Sequence, residues 1–387
     1  MALERRLVLA STASLLHLRG VERWLLEVAT RLGNCMILTF SVGLRDIKDV
    51  EERIIEIKGR LKGVEWHELR ALSYESFGRR VPSSVVRFMR HSGIVVPMDL
   101  KVIKLLKGKT LYLVVGDAYQ ATLLAFIAVI AGARRIAPGL HSRPNYKRFV
   151  YAKPLLKLMN KLKLFRGIHA VNIADALTLR GILGGVPVLW LPNGVDCDRF
   201  RPRPKRADKF QALYVGALSE DKGVDTFIEA ARIVKSMYGA EFLVASAGGS
   251  LKSVVEEAHE NGLVEFLGLV PDDELAKLYA ESHVAVFPSR EEAFGLVSLE
   301  AQASGTPVIA TDLPAFRQSV VDGVTGVLVR PHSPDAFARA IIKMRDMWLN
   351  DRQRYEQMCA AARKNAERFC WERIVKVYYE KLFSQLR

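Results

Sequence analysis

The chain of 387 residues lacks the cysteine patterns that mark metal-binding and disulfide-rich proteins. Its four cysteines are Cys35, Cys197, Cys359 and Cys370. Since no two of them form a C-x-x-C pair, neither a zinc site nor a disulfide framework is indicated. Such sparse cysteine favours a reducing compartment, and we expect a cytoplasmic protein.

Long hydrophobic runs are also missing. The N-terminal apolar stretch at 7–10 is shorter than the core of a signal peptide, which needs about seven residues or more. The longest apolar run, over 121–133, falls short of the roughly 20 residues that cross a membrane. Half of the residues are hydrophobic and 26% are charged, which is typical of globular proteins, and the length suggests two domains.

Acidic residues are scarce in the first half. Residues 1–190 contain 31 of the 57 Lys and Arg residues but only 14 of the 42 Asp and Glu residues. The whole net charge of +15 therefore belongs to this half. Such an asymmetry indicates an anionic partner, which could be a nucleic acid, an anionic membrane surface or a phosphorylated substrate.

Apolar runs alternate with helical patterns along the chain. The first strand is predicted over 6–12, and the apolar residues of 21–32 recur at helical spacing. Further strands are predicted at 36–42, 110–115, 135–140, 167–172 and 187–192 and, after a Pro-rich linker over 201–209, at 210–216, 241–249, 264–270, 284–289, 307–312 and 326–331. This alternation predicts doubly wound α/β domains with parallel sheets. We place these Rossmann-like domains at 1–200 and 201–370, with a C-terminal helix over 371–387 that packs back on the first.

One stretch places two glutamates around a predicted helix start. The strand over 284–289 leads into a helix whose first turn contains Gly295, with Glu292 before it and Glu300 about two turns further on. Free N–H groups and the positive end of the helix dipole can bind phosphate there. A carboxylate accepts two hydrogen bonds from a sugar diol. The pattern favours a nucleotide-sugar site, although acidic residues at a helix start are also an ordinary way to stabilise the dipole.

Several ordered motifs resemble those of the family 4 retaining glycosyltransferases. They are G-x-E-R at 20–23, P-N-G-V-D at 192–196, G-x-L-x-x-x-K-G at 216–223, E-x-F-G-L-x-x-x-E at 292–300, G-T-P-V at 305–308 and D-G-x-T-G at 322–326. The resemblance covers nearly the full chain. It implies the GT-B fold, in which two Rossmann-like domains face a central cleft, and transfer of a hexose from a nucleotide-diphosphate sugar with retained configuration. It implies no metal and no cofactor other than this co-substrate.

The resemblance also assigns roles to individual residues. Glu300 would hold the nucleotide ribose, Glu292 would contact the donor sugar, and Lys222 would neutralise the diphosphate. The expected donor-binding residues are Gly20, Gly216, Lys222, Arg290, Glu292, Phe294, Gly295, Leu296 and Glu300. His141 would lie near the anomeric carbon and, with Asp117, near the acceptor. A histidine satisfied within the core is the ordinary alternative for His141.

Two positions depart from the family pattern or invite another interpretation. Ala217 stands where many members have an arginine and many others have a small residue, and a neighbour such as Arg290 could partly compensate for the missing positive charge. The sequence Asp196-Cys197-Asp198 spells D-x-D, the metal motif of a different glycosyltransferase fold. Because it directly follows Pro-Asn-Gly, a turn is the better prediction.

In this family the first domain binds the acceptor. The stretches at 81–109 and 146–165 mix basic with apolar residues, which suits docking to an anionic membrane as well as a solvated basic surface. We therefore expect a glycan acceptor that is lipid-linked or phosphorylated, at the cytoplasmic face of the membrane.

Two other functions are compatible with parts of the sequence. A nucleic-acid-binding protein would use the basic half, but the chain has no reader motif and the second half would be unexplained. A nicotinamide-dependent oxidoreductase would need a G-x-G-x-x-G after the first strand, which is missing.

Overall fold

The computed structural model describes residues 7–11, 14–17, 20–40, 50–72, 96–97, 99–115, 125–144, 146–164, 167–205, 209–246, 248–380 and 382–383. The chain divides into two compact units. The first contains Met1–Pro192 and Glu372–Arg387, and the second contains Asn193–Trp371.

The first unit is built on a parallel sheet. Its strands are β1 Leu7–Ser11, β2 Cys35–Phe40, β3 Glu65–Leu69, β6 Thr110–Val115, β7 Arg135–Leu140, β8 Ile168–Ala170 and β9 Val188–Trp190, and a separate antiparallel pair joins β4 Ala71–Leu72 to β5 Val96–Pro97. The sheet order is β3-β2-β1-β6-β7-β8-β9. Its helices are α1 Gly20–Leu32, α2 Val50–Arg60, α3 Lys101–Leu106, α4 Tyr146–Lys161 and α5 Ile173–Leu183, with a further helical segment at 125–130.

The second unit repeats this plan. Its strands are β10 Gln211–Val215, β11 Glu241–Ala245, β12 Glu265–Gly268, β13 Val284–Phe287, β14 Val308–Thr311 and β15 Gly326–Val329, in the order β12-β11-β10-β13-β14-β15. Its helices are α6 Val224–Met237, α7 Lys252–Glu260, α8 Asp272–Glu281, α9 Leu296–Ala303, α10 Pro314–Arg317, α11 Pro334–Asn350 and α12 Arg352–Ala366. A last helix, α13 Trp371–Ile374, begins at the final residue of the second unit and continues, within the first unit, as a π-helix over Val375–Tyr379.

The predicted fold class is confirmed. Each sheet has the strand order 3-2-1-4-5-6 of a doubly wound fold, and the first sheet adds a seventh strand. The central strands β1, β2, β10 and β13 are buried along most or all of their length, as expected for parallel strands that are covered on both faces. Every strand that the sequence predicts begins within one residue of an observed strand.

The expectation of unpaired cysteines is wrong for one pair. Cys197 and Cys370 form a disulfide across a sequence separation of 173, with their Cα atoms 5.5 Å apart, while Cys35 and Cys359 are free. Disulfides are rare in cytosolic proteins other than those of hyperthermophiles, so the cysteines do not support a reducing compartment. Among the described residues, none of the helices combines the length and apolar character that a membrane crossing requires.

Candidate functional site

The topology of the second unit marks one edge of its sheet. β10 and β13 are adjacent and parallel, with Ala212 opposite Val284. They are the first and fourth strands of the unit, so the chain leaves their carboxyl ends toward opposite faces of the sheet. Ligands of open α/β sheets bind at such a topological switch point. The two loops that meet here carry the motif residues of 216–223 and 289–295.

A glycine allows these two loops to touch. Gly223 has φ +69°, and a Cβ at this position would lie 2.1 Å from the Pro288 carbonyl oxygen. Any larger residue would therefore push apart the loops that follow β10 and β13. The backbone N–H of Arg290 donates to the Asp221 carbonyl at 2.8 Å, which fixes the same contact.

Lys222 and Glu292 meet in an ion pair. The Lys222 Nζ lies 2.9 Å from Glu292 Oε2, and the Glu292 Oε1 accepts the N–H of Ala293 at 3.1 Å. The side chains of Lys222 and Glu292 are 29% and 15% exposed, so both remain accessible to a ligand. An ammonium and a carboxylate from the two motif loops therefore form a direct ion pair at this edge of the sheet.

The start of α9 presents backbone amides beside this pair. Gly295 precedes the helix with φ +82°, and a Cβ would lie 2.7 Å from the ring of Phe316. Within the described part of the chain, the N–H groups of Gly295, Leu296 and Val297 have no backbone acceptor. This is the expected state of the first turn of a helix, which can bind an anion. Phe294 is buried.

Glu300 lies on α9, and Gly216 directly follows β10. The Glu300 Oε2 accepts the hydroxyl of Tyr279 at 3.3 Å, and the side chain is only half-buried. Tyr214, at the end of β10, donates to the Ala217 carbonyl at 2.7 Å and so holds the turn after Gly216. Burial, helped by the charges of nearby carboxylates, raises the pKa of Tyr214, which therefore stays a neutral donor.

Arg290 is engaged by other groups. Its guanidinium contacts the carboxylate of Asp225, the carbonyl of Glu220 and, at 3.2 Å, the ring of His332. These partners lie on the same edge of the sheet as Lys222. A role for Arg290 as the positive charge that Ala217 lacks would require it to exchange them for a phosphate.

In the first unit, His141 directly follows β7 and belongs to a hydrogen-bonded chain. The Nε2 of His141 lies 3.2 Å from the Tyr112 hydroxyl, which also contacts Nδ1 of His169, and the other ring nitrogen of His169 lies 2.7 Å from the Leu191 carbonyl. Burial lowers the pKa of His141 well below its usual value, with a smaller contribution from His169, and lowers that of His169 to about 4. Both imidazoles are therefore neutral at neutral pH.

The donors and acceptors in this chain define the tautomer of His141. A carbonyl only accepts, so His169 donates from Nε2 to Leu191 and accepts the Tyr112 hydroxyl proton at Nδ1. The Tyr112 oxygen is then free to accept from Nε2 of His141. The Nδ1 of His141 keeps its lone pair, and this buried atom has no hydrogen-bond partner among the described residues. Tyr112 and His169 lie on separate strands, and no motif or spacing in the sequence indicated them.

The structure also gives the locations of Gly20, Asp117 and the D-x-D sequence. Gly20 is the first residue of α1, and Asp117 lies outside the described residues. The turn predicted for the D-x-D sequence is confirmed, because Asp196 Oδ1 accepts the N–H groups of Asp198 and Arg199 and Cys197 is in the disulfide. The described residues include no group of three or more His, Cys, Asp or Glu side chains that could hold a metal ion.

Sequence comparison finds similarity to known proteins over about half of the chain. Residues 198–365 match the family described as "Glycosyl transferases group 1". A D-inositol 3-phosphate glycosyltransferase of Paenarthrobacter aurescens (strain TC1) is 34% identical over 206 residues, which are 49% of this chain and 50% of the relative. The chain thus matches only about half the length of this relative.

Comparison with solved structures extends over the whole chain. The structure of HepE from Anabaena, in complex with UDP and glucose, superposes with a TM-score of 0.73 at 18% identity and covers 98% of this chain and all of its own. A sucrose-phosphate synthase from Thermosynechococcus elongatus gives 0.73 at 19% identity, with 99% of both chains covered. The chain therefore has the GT-B fold, and its residues 198–365 are similar to the glycosyl transferases group 1 family.

Proposed function

We propose that this protein is a retaining glycosyltransferase that moves a hexose from a nucleotide-diphosphate sugar to a glycan acceptor. One observation carries the proposal: Lys222, Glu292 and the first amides of α9 converge at the switch point of the second sheet. The family match of residues 198–365 supports the same reaction class. The structurally similar HepE forms a complex with UDP and glucose, which favours a donor of this kind.

The donor would bind along the edge formed by the two loops. Its diphosphate would accept hydrogen bonds from the N–H groups at 295–297 and an ionic contact from Lys222. Glu300 would accept the two ribose hydroxyls, and Glu292 would accept hydroxyls of the hexose. Because Lys222 and Glu292 start as partners, donor binding would replace one ion pair by two separate contacts with the ligand.

The chemical step would depend on stabilisation of the leaving group. The bond from the anomeric carbon to the diphosphate oxygen breaks, and its electron pair stays on the diphosphate. Lys222 and the α9 amides stabilise this negative charge, so that the transfer requires no metal ion. The acceptor hydroxyl attacks from the same face, which retains the configuration, and its proton passes to the departing phosphate oxygen. His141 would lie near the anomeric carbon, as the resemblance to the family implies.

Replacement of Glu300 by glutamine should weaken UDP binding about 10- to 100-fold, because a hydrogen bond to a charged group contributes about 1.5–3 kcal/mol. Glutamine keeps an acceptor for the Tyr279 hydroxyl, so the thermal midpoint should change little. Titration calorimetry with UDP measures the effect, and Glu274→Gln, an exposed carboxylate on α8, is the matched control. Equal affinities of wild type and Glu300→Gln would remove Glu300 from the donor site.

We further propose that the acceptor is presented at an anionic membrane surface and that α4 docks there. The solvent face of α4 and its C-terminal extension carries four apolar side chains at helical spacing. They are Tyr151, Leu155, Leu158 and Leu162, and they are 42–76% exposed. The opposite face, with Phe149 and Leu156, is buried. Residues 146–164 contain six basic residues and no acidic residue. An apolar stripe on a basic helix fits the interface of an anionic membrane.

Vesicle sedimentation tests this docking. We expect the protein to sediment with vesicles that contain about one third phosphatidylserine and to stay in solution with neutral vesicles, since each basic residue near an anionic surface contributes about 1 kcal/mol. The double variant Leu155→Gln and Leu158→Gln should lower the partition coefficient at least about 10-fold, because burial of each leucine contributes about 1.5–3 kcal/mol. Leu349→Gln, equally exposed on α11, is the control. Equal recovery with neutral and anionic vesicles would contradict the docking.

A further inference from the structure

The second unit contains a large cavity that none of the proposed donor-binding residues lines. It is open to solvent on one side and has a volume of about 730 Å³, within the range of roughly 300–1,000 Å³ that is usual for small-molecule sites. Its walls come from the chain segment at 202–205, from Ser304 and Gly305 after α9, and from α12. It is thus separated from Gly295 by the length of α9.

The charges around this cavity are unbalanced. Its described lining includes five basic and two acidic side chains. Arg352 pairs with Glu356 and Arg363 with Glu367, each at 3.0 Å, so these four side chains neutralise one another. The other three cations are Arg203, Lys205 and Lys364, and within the described residues none of them has a carboxylate partner. The lining therefore carries a net charge of about +3.

Lys205 shows that this charge is partly withdrawn from water. Its Nζ donates to the Ser282 carbonyl at 2.7 Å and to the Thr306 hydroxyl, which are both neutral acceptors. Burial lowers the pKa of Lys205 to about 8, against a smaller effect of Cys359 in the other direction. An ammonium that is partly withdrawn from water and has no counterion is costly, and an anion in the cavity would lower that cost.

We propose that this cavity is a second ligand site, which binds a small phosphorylated metabolite. A phosphate dianion would neutralise two of the three positive charges, and the guanidinium of Arg203 can bind two of its oxygens at once. Pro202, Pro204 and Ala360 provide apolar surface for the carbon skeleton of the ligand. The site is additional to the donor and acceptor sites of the proposed transferase.

Titration calorimetry with glucose 6-phosphate as the probe tests this site. Wild type and Lys222→Met should bind it alike, since Lys222 belongs to the donor site. Arg203→Gln and Lys364→Gln should each weaken binding about 10-fold or more, because hydrogen bonds to charged groups contribute about 1.5–3 kcal/mol. Neither side chain has a structural partner among the described residues, so both variants should fold. Lys343→Gln, an exposed lysine on α11, is the matched control.

Two results would overturn the inference. One is the lack of saturable binding to wild type. The other is binding that Lys222→Met removes but Arg203→Gln and Lys364→Gln leave unchanged, since the phosphate would then occupy the donor site. UDP binding measured on the same samples separates the two proposals: failure of the cavity site leaves UDP binding intact, and failure of the transferase proposal leaves the glucose 6-phosphate result intact.

Discussion

Replacement of Lys222 by methionine should lower kcat for sugar transfer about 100- to 1,000-fold, the effect typical of removing one donor that stabilises a developing anion. The ammonium is the positively charged side chain that the structure places beside Glu292 and the first turn of α9. Its charge matters most when the diphosphate departs, so the loss should fall on kcat more than on donor affinity. Single-turnover measurements with UDP-hexose and analysis of the released UDP would report it.

The fold should survive this substitution. The Lys222–Glu292 pair is partly exposed, and pairs of this kind contribute about 1 kcal/mol or less to stability. Lys252→Met is a suitable control, since Lys252 pairs with Glu256 at 3.1 Å on α7. A Lys222→Met enzyme with unchanged kcat, or one that loses activity only because it unfolds, would remove Lys222 from the leaving-group role.

All strands of the two parallel sheets except β3 were predictable because their signal is local. A parallel strand that is buried on both faces is a short apolar run, such as Leu111–Val115 within β6. β3 escaped prediction because it lies at the edge of its sheet, where the sequence Glu-Trp-His-Glu-Leu is mostly half-exposed. An edge strand can form without a continuous apolar run, and the sequence of β3 therefore resembles a loop.

The candidate site was predictable only in part, for a related reason. The loop positions of Lys222, Glu292 and Gly295 follow from motifs and from the rule that ligands bind at the carboxyl ends of parallel strands. The hydrogen-bond and ion-pair partners of these side chains depend instead on how the fold places distant residues. The contact of Arg290 with Asp225 and the chain from His141 through Tyr112 to His169 join residues that are far apart in the sequence. Neither the spacing of motifs nor the amino-acid composition predicts such contacts.

Reduction of the Cys197–Cys370 disulfide should lower the free energy of unfolding of the second unit by about 3–5 kcal/mol. In the chain-entropy account, a cross-link that closes a loop of this length restricts the unfolded chain by about 5 kcal/mol at 25 °C. The bond encloses nearly the whole unit, from Cys197 to Cys370. Urea unfolding with and without dithiothreitol measures the difference, and Cys370→Ser should behave like the reduced protein.

Backbone hydrogen bonds beside the disulfide explain why the expected loss in the free energy of unfolding extends down to about 3 kcal/mol. Val195 donates to the Phe369 carbonyl at 2.8 Å and accepts the Trp371 N–H at 3.1 Å, so the two segments stay paired after reduction. The native state should therefore keep its structure, and the change should appear as a lower midpoint of unfolding. Cys359→Ser, which removes a free thiol, should respond to dithiothreitol as the wild type does. Identical unfolding curves for oxidised and reduced wild type would show that this bond does not stabilise the unit.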